Sequence, residues 1–289
     1  MMTISISPTL RDIRFNLPAH NVTHWHKDGM NVSQYLNTMS LFLPVGERFF
    51  IKSVRLFRKQ VTDKALLKSM SAFIGQEAMH GREHDELNKL LEQSGTPAKA
   101  QEKIVERLLD FAQRVAPPEH QLAATISLEH LTGLLADSLL NNPDSLDGSD
   151  ERYSAMWRWH AYEETEHKAV AFDVYQHVMG NNLNAYLLRC FWLVTATSIY
   201  FALQYPFYIE NVRRQNGMRD VKGWIKGVNF LWGKPGLKRQ CVGAWLDWFK
   251  PGFHPWDHDN RHHLEKFEEL LKPVLNNDPE YQAADAAMS

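Results

Sequence analysis

Apolar residues recur along most of this chain at the three-and-four spacing of one helical face, and nowhere for long at the alternation of a strand. The stretch LPVGERFFIKSVRLFRKQV predicts a helix from Pro44, because proline suits a first helical turn. Thr62 and Asp63 offer a cap for a second long helix, ALLKSMSAFIGQEAMHGREHDELNKLLEQ, which Ser94 and Gly95 close. A third amphipathic segment covers about 98–116 and stops before Pro117 and Pro118. A fourth runs from about Glu119 to the Asn-Asn-Pro beginning at Asn141, and a fifth from near Asp150 to Met179, with Gly180 as its stop. Residues 1–30 contain Pro8, Pro18 and Gly29 without a sustained period, and read as an irregular arm. The expected class is all-α.

Beyond Gly180 the pattern changes. Residues 190–209 contain no formally charged side chain, a length sufficient on paper to cross a bilayer. Thr195, Thr197, Ser198 and Gln204 lie inside that stretch and Pro206 interrupts it, so the expectation is a helix buried against the others. The competing reading is peripheral contact of 190–209 with a membrane. The segments GWIKGVNFLWGKPG and GAWLDWFKPGFHPWDHDN look loop-dominated, and a final polar helix is expected over 259–276. The chain then divides into an arm at 1–30, a bundle at 31–180 and a tryptophan-rich cover at 181–289.

Composition narrows the functions. With 32 basic and 34 acidic residues the net charge is -2, which gives no electrostatic basis for a nucleic-acid partner. Cys190 and Cys241 make no C-x-x-C pair and no disulfide framework, and no basic-then-apolar leader opens the chain. A cytoplasmic setting is expected, membrane-associated if 190–209 meets lipid.

The 14 histidines turn attention to chemistry. Two long predicted helices each carry Glu-x-x-His: Glu77 with His80, and Glu164 with His167. Residues three apart project from nearly the same helical face, so both side chains can reach one ion. Either motif alone is weak. Their order is more telling, because two further glutamates, Glu47 and Glu129, sit in apolar stretches of other helices. Buried carboxylates need compensating charge, and two divalent ions would neutralise four of them. Di-metal carboxylate bundles combine one Glu from each of two helices with Glu-x-x-His from the other two. His160 adds His-x3-Glu-x2-His to the fifth helix, as a third imidazole ligand or as a partner of one. His84 and Glu163 are expected just outside the ligand set, Glu163 being the rival to Glu164. Glu83, Glu86 and Glu166 are read as solvated, and His130 as a packing or surface residue. The histidines of PGFHPWDHDNRHH are read as a structural turn rather than a second metal site.

In its order of motifs, 44–180 resembles the ferritin-like di-iron carboxylate proteins, with the 98–116 helix as their long crossover. More narrowly, GQEAMHGREHDELN, SLEHLTG, WRWHAYEETEHKAVAFDVY and PGFHPW together resemble a bacterial family of predicted metal-dependent hydrolases. The histidine-rich pattern is similar to that of di-iron aryl-amine N-oxygenases. These resemblances imply a ferritin-like four-helix bundle with extra helices. They imply two iron ions, with manganese or zinc as rivals, held by Glu47, Glu77, His80, Glu129, His160, Glu164 and His167. The activity expected is O2-dependent oxidation of a small or lipophilic organic substrate, fed by an electron donor. Metal-dependent hydrolysis and a non-catalytic iron or oxygen sensor are the alternatives. Assembly as a homodimer is compatible with such a bundle.

Overall fold

The structure is a computed structural model and describes residue 6 and residues 8–266. Its described residues are mostly helical, with no strand among them, in agreement with the all-α class. Helices α1 (Met30–Ser40), α2 (Leu43–Leu56) and α3 (Lys64–Gln93) open the chain, followed by α4 (Ala98–Val115) and α5 (Pro118–Leu140). Then come α6 (Glu151–His167), α7 (Val170–Met179), α8 (Leu183–Arg214), α9 (Val221–Trp232) and α10 (Leu237–Asp247).

Local chemistry accounts for the long helices. Asp63 caps α3 by accepting from the amides of Ala65 and Leu66, and Asp150 caps α6 through Arg152 and Tyr153. Prolines occupy the first turns of α2 and α5, where their missing N–H costs nothing. Gly180 closes α7 at φ 67°, a left-handed value that favours glycine.

The helices α2, α3, α5 and α6 pack against one another, most closely α2 with α3 and α5 with α6, and α4 lies against α2 and α3. Apolar packing gathers in two large clusters at opposite ends of this bundle. One takes Leu87 and Leu91 of α3, Ala136 and Leu139 of α5, and Tyr153 and Trp159 of α6. The other takes Met70 and Phe73 of α3, Leu122 and Ile126 of α5, and Phe172 and Tyr175 of α7. Between them each helix passes through a short buried stretch of ionisable residues: Glu77–His84 on α3, Glu129 on α5, His160–His167 on α6. Two hydrophobic slabs therefore hold one polar layer, and each slab fixes the helical register that aims the layer inward.

Several expectations change. The arm is irregular as expected but ends in α1, whose Val32, Tyr35 and Leu36 are buried in the first cluster. The fifth helix is interrupted at Lys168 and Ala169, immediately after His167. Thr165 there gives its hydroxyl to the Ala161 carbonyl, a competition that bends helices. Lys168 is drawn away to the His258 carbonyl and Asn260. The first Trp-rich segment is not a loop, since most of it lies in α9; the second is loop-dominated as expected, only its first five residues completing α10 before turns take over at 248–260. Of the helix expected over 259–276, residues 261–266 form a short 3-10 stretch and the remainder lies outside the described residues.

The uncharged stretch 190–209 lies within α8, which alone among the described helices is long and apolar enough to cross a bilayer. It packs on α5 and α1 through one face, with Leu193, Ala196 and Gln204 buried. It is not enclosed, because Leu187, Phe191, Val194, Ile199 and Ile209 are exposed on the outer face. Only 17% of its most apolar window is buried, so full burial against the bundle does not describe it.

Candidate metal centre

Seven ionisable residues from four helices meet in the polar layer. Glu47 comes from α2, Glu77 and His80 from α3, Glu129 from α5, and His160, Glu164 and His167 from α6. Glu77, His80 and His167 have no solvent exposure, and none of the others exceeds 5%. Three overlapping triads have donor atoms within 4.8 Å of one another: Glu47, His80, His160; Glu77, His80, Glu164; and Glu77, Glu129, His167. The outer triads define two poles, with Glu77 and Glu164 between them. Glu164 Oε1 lies 3.3 Å from His160 Nε2 and its Oε2 lies 3.7 Å from His167 Nε2, so its two oxygens face opposite poles. Gly81 makes room for this: a Cβ there would meet Glu47 Oε2 at 3.0 Å.

Buried polar atoms normally have partners, and the exceptions mark missing ones. Both carboxylate oxygens of Glu47, Glu77 and Glu129, together with His80 Nδ1 and His167 Nε2, are buried without a hydrogen bond. All belong to this one cluster. Burial raises the pKa of Glu47, Glu129 and Glu77 above the usual carboxylate range, and mutual repulsion adds to it for each. Glu164 is held below that range: burial opposes this, but His160 and His167 outweigh it. Burial would also lower His167, yet Glu164 and Glu77 hold it well above its ordinary value. In the absence of a cation the cluster thus retains protons, and cations fit where those protons sit.

The surrounding hydrogen bonds fix which histidine nitrogen faces inward. Gln76 Nε2 donates to the Thr9 carbonyl and to Glu166, which leaves its Oε1 to accept from His167 Nδ1–H at 3.0 Å. His167 Nε2 is then the nitrogen that faces the cluster, 3.1 Å from Glu77 Oε1. His80 Nε2–H donates to Glu163 at 3.1 Å, presenting Nδ1 to the cluster. Glu163 is itself held by Trp159 Nε1 at 2.9 Å and Arg11 at 3.2 Å. Burial pushes the Glu163 carboxyl up to about 8, against the opposing charge of Arg11.

A longer chain serves His160. Asn88 Nδ2 donates to Glu102, so Asn88 Oδ1 accepts the Ser40 hydroxyl proton at 2.7 Å. Ser40 Oγ can then only accept from His84 Nδ1–H at 2.9 Å, which leaves His84 Nε2 bare to accept from His160 Nδ1–H at 3.1 Å. His160 Nε2 consequently points its lone pair at the cluster. Such outer hydrogen bonds orient metal-binding imidazoles and set their tautomers.

Each residue singled out in the sequence can now be placed. The seven candidate ligands converge. His84 and Glu163 lie one shell out, against His160 and His80 respectively. Glu86 is half exposed, as expected. Glu83 and Glu166 are not solvated: Glu83 accepts the Phe15 amide and Arg82, and Glu166 binds Arg11 and Gln76. His130 is buried, with its ring tilted against Trp248 and edge-on to Phe253. In the described part of the histidine-rich tail, His254 caps a short turn and meets Asp173, while His258 and His263 face Asp247 and Asp137. Sequence reasoning missed Arg11, Ser40, Gln76, Asn88, Thr132 and Trp159. Only Gln76, adjacent to Glu77, carried any signal.

The model of one protein family, described as predicted metal-dependent hydrolase, matches residues 9–259. This chain belongs to that family. The match spans the arm, the bundle and the cover up to α10 and beyond, and includes every residue of the cluster. No curated protein and no solved structure matches the chain. Membership in a metal-dependent family and the buried Glu/His triads agree on metal binding.

Proposed function

We propose that the seven residues hold two metal ions in a ferritin-like di-iron centre and that the protein is an O2-dependent oxidase or oxygenase. The observation that carries this reading is the set of buried, unpartnered carboxylate oxygens and ring nitrogens aimed at one space. Glu47, His80 and His160 would hold one ion, Glu129 and His167 the other, and Glu77 and Glu164 would lie between both. Mixed carboxylate and imidazole donors favour iron or manganese, with zinc a rival. When bound as ferrous ions, the pair supplies electrons to O2.

The chain's own residues set the conditions for that chemistry. Four glutamates match the charge of two divalent ions, so the filled layer is near neutral and tolerates its dry surroundings. Thr132 donates to Glu164 Oε2 at 2.7 Å and restrains that carboxylate. Arg11 anchors Glu163, which keeps His80 in the tautomer that presents Nδ1. The apolar slabs exclude bulk water from the layer, which protects reactive species from side reactions.

The family's description favours a second reading, hydrolysis, in which the same ions activate water for attack on an ester or amide. Oxygen and reductant dependence separates the two. Purified protein loaded anaerobically with two equivalents of Fe(II) and then mixed with O2 should consume O2 and develop a transient absorbance. Turnover of esters with Mn(II) or Zn(II) in anaerobic buffer would replace oxidation by hydrolysis. Absence of both would leave metal sensing.

A further inference from the structure

A cavity of about 310 Å³ runs between α2, α4, α5 and α8. Its inner end is built by neighbours of the metal-binding residues: Gly46 precedes Glu47, Leu128 precedes Glu129, and Thr132 bonds Glu164. Its outer end opens between α4 and α8, where Phe111 and Val115 are 59% and 60% exposed. Large apolar side chains left in water at a cavity mouth mark a binding surface. Between the two ends the wall is aliphatic and aromatic. At the outer end the polar side chains are already engaged, His120 with the Trp192 indole N–H, and Gln121 with the carbonyls of Gln113 and Ala116.

We propose that this cavity binds the hydrocarbon chain of the substrate, delivering one position of that chain to the layer behind Thr132. This substrate class rests on the metal-centre reading above. A peptide is a poor occupant, because its amides would be buried against walls that offer them no hydrogen bonds. Hydrocarbon loses nothing there. A cavity of ~150 Å³ holds benzene, so twice that volume accommodates roughly a dozen carbons. The mouth adjoins the uncharged outer face of α8, so an apolar molecule can approach without crossing a charged rim.

The test is isothermal titration of metal-loaded, full-length protein with n-alkanols of six to fourteen carbons, with metal content measured on the same samples. Affinity should rise about fourfold per methylene and level off near twelve carbons. Phe111→Asp, at the exposed rim, should weaken decanol at least tenfold. Ala112→Trp, in the half-buried wall, should move the plateau to shorter chains. Leu187→Asp, exposed on α8 away from the cavity, should change nothing. Fully metallated protein that binds no alkanol saturably would overturn the proposal while leaving the centre intact. So would equal losses in Phe111→Asp and Leu187→Asp, or affinity that climbs without a plateau. Alkanol binding in protein that takes up no metal would keep the cavity and defeat the metal reading instead.

Discussion

Replacing Glu129 by glutamine should move stability in opposite directions depending on whether metal is present. Glu129 is 1% exposed, neither of its oxygens has a hydrogen-bond partner, and His167 Nε2 is 3.6 Å away. Its donor atom lies within 4.8 Å of one from Glu77. Two ionised carboxylates at that distance repel by ~3.5 kcal/mol at an effective dielectric of about 20. Protonation limits the penalty. A carboxyl with an ordinary pKa of 4.5 needs roughly 3.4 kcal/mol to stay protonated at pH 7, at about 1.36 kcal/mol per unit. Glutamine removes this penalty but buries an amide that also lacks partners, costing ~1–2 kcal/mol. The metal-free variant should therefore gain ~1–2 kcal/mol, or roughly 2–6 °C in melting temperature.

With metal the sign reverses. Losing one charged ligand should weaken binding at least a hundredfold, removing ~2.7 kcal/mol or more of ligand-linked stability, which outweighs the gain of ~1–2 kcal/mol. The assay is a pair of thermal melts, after chelation and after loading with Mn(II), for parent and E129Q proteins. A variant that melts below the parent in chelator would show that the carboxylate makes favourable contacts of its own. Equal stabilisation of both proteins by Mn(II) would show that Glu129 is no ligand. Either result refutes the reasoning.

Three further outcomes are expected. Ser40→Ala should free His84 to adopt the other tautomer and lower metal affinity about 10–100-fold at the His160 pole, read by competitive chelator titration; unchanged affinity would remove the Asn88–Ser40–His84 chain from any orienting role. Lys238, buried over Phe201 and Tyr205, is lowered by desolvation to about 7 from 10.5, so between those values the unfolded chain binds the extra proton and stability rises with pH. Lys238→Met should raise the melting temperature at pH 7 by an amount worth ~1–3 kcal/mol, the rings offsetting part of the burial cost, and flatten its rise toward pH 10; a parallel pH profile would contradict this. The uncharged outer face of α8 predicts co-sedimentation with phosphatidylcholine vesicles, lost in a Phe191→Lys, Val194→Lys double variant, and parent protein left wholly in the supernatant would argue against membrane contact.

Much of the fold was legible because its helices carry strong local signals. Asp63, Asp150, Pro44, Pro118 and Gly180 mark ends that the backbone itself requires, and α5, buried on most of its faces, is apolar through most of its length. The failures occur where those signals are weak. A helix of eleven residues such as α1 buries asparagine and serine beside its apolar residues, which blurs the period. The break after His167 has no glycine or proline to announce it. It arises from tertiary demands on neighbouring residues, with His167 held inward by Gln76 and Lys168 pulled outward by Asn260.

The candidate site divides along the same physical line. Side chains that would touch a metal must be strong donors at helical spacing, so the two Glu-x-x-His pairs, the added His160 and the lone glutamates of apolar stretches were visible in the sequence as candidates. The residues that orient them have no such constraint. A ring N–H can be held by a carboxylate, an amide or another imidazole, and here Glu163, Gln76 and His84 perform that same task on three histidines. Their own supports come from Arg11 in the arm and Ser40 in α1, 152 and 44 positions from the residues they serve. The shell also explains why ionisable residues other than the seven are buried. Glu163 and Glu166 are tolerated in the interior because Arg11 enters with them, whereas Glu47, Glu77 and Glu129 have no Arg or Lys partner and face only the histidines of the layer. That contrast, between carboxylates satisfied by Arg11 and carboxylates without such a partner, separates supporting residues from candidate ligands on physical grounds independent of any motif.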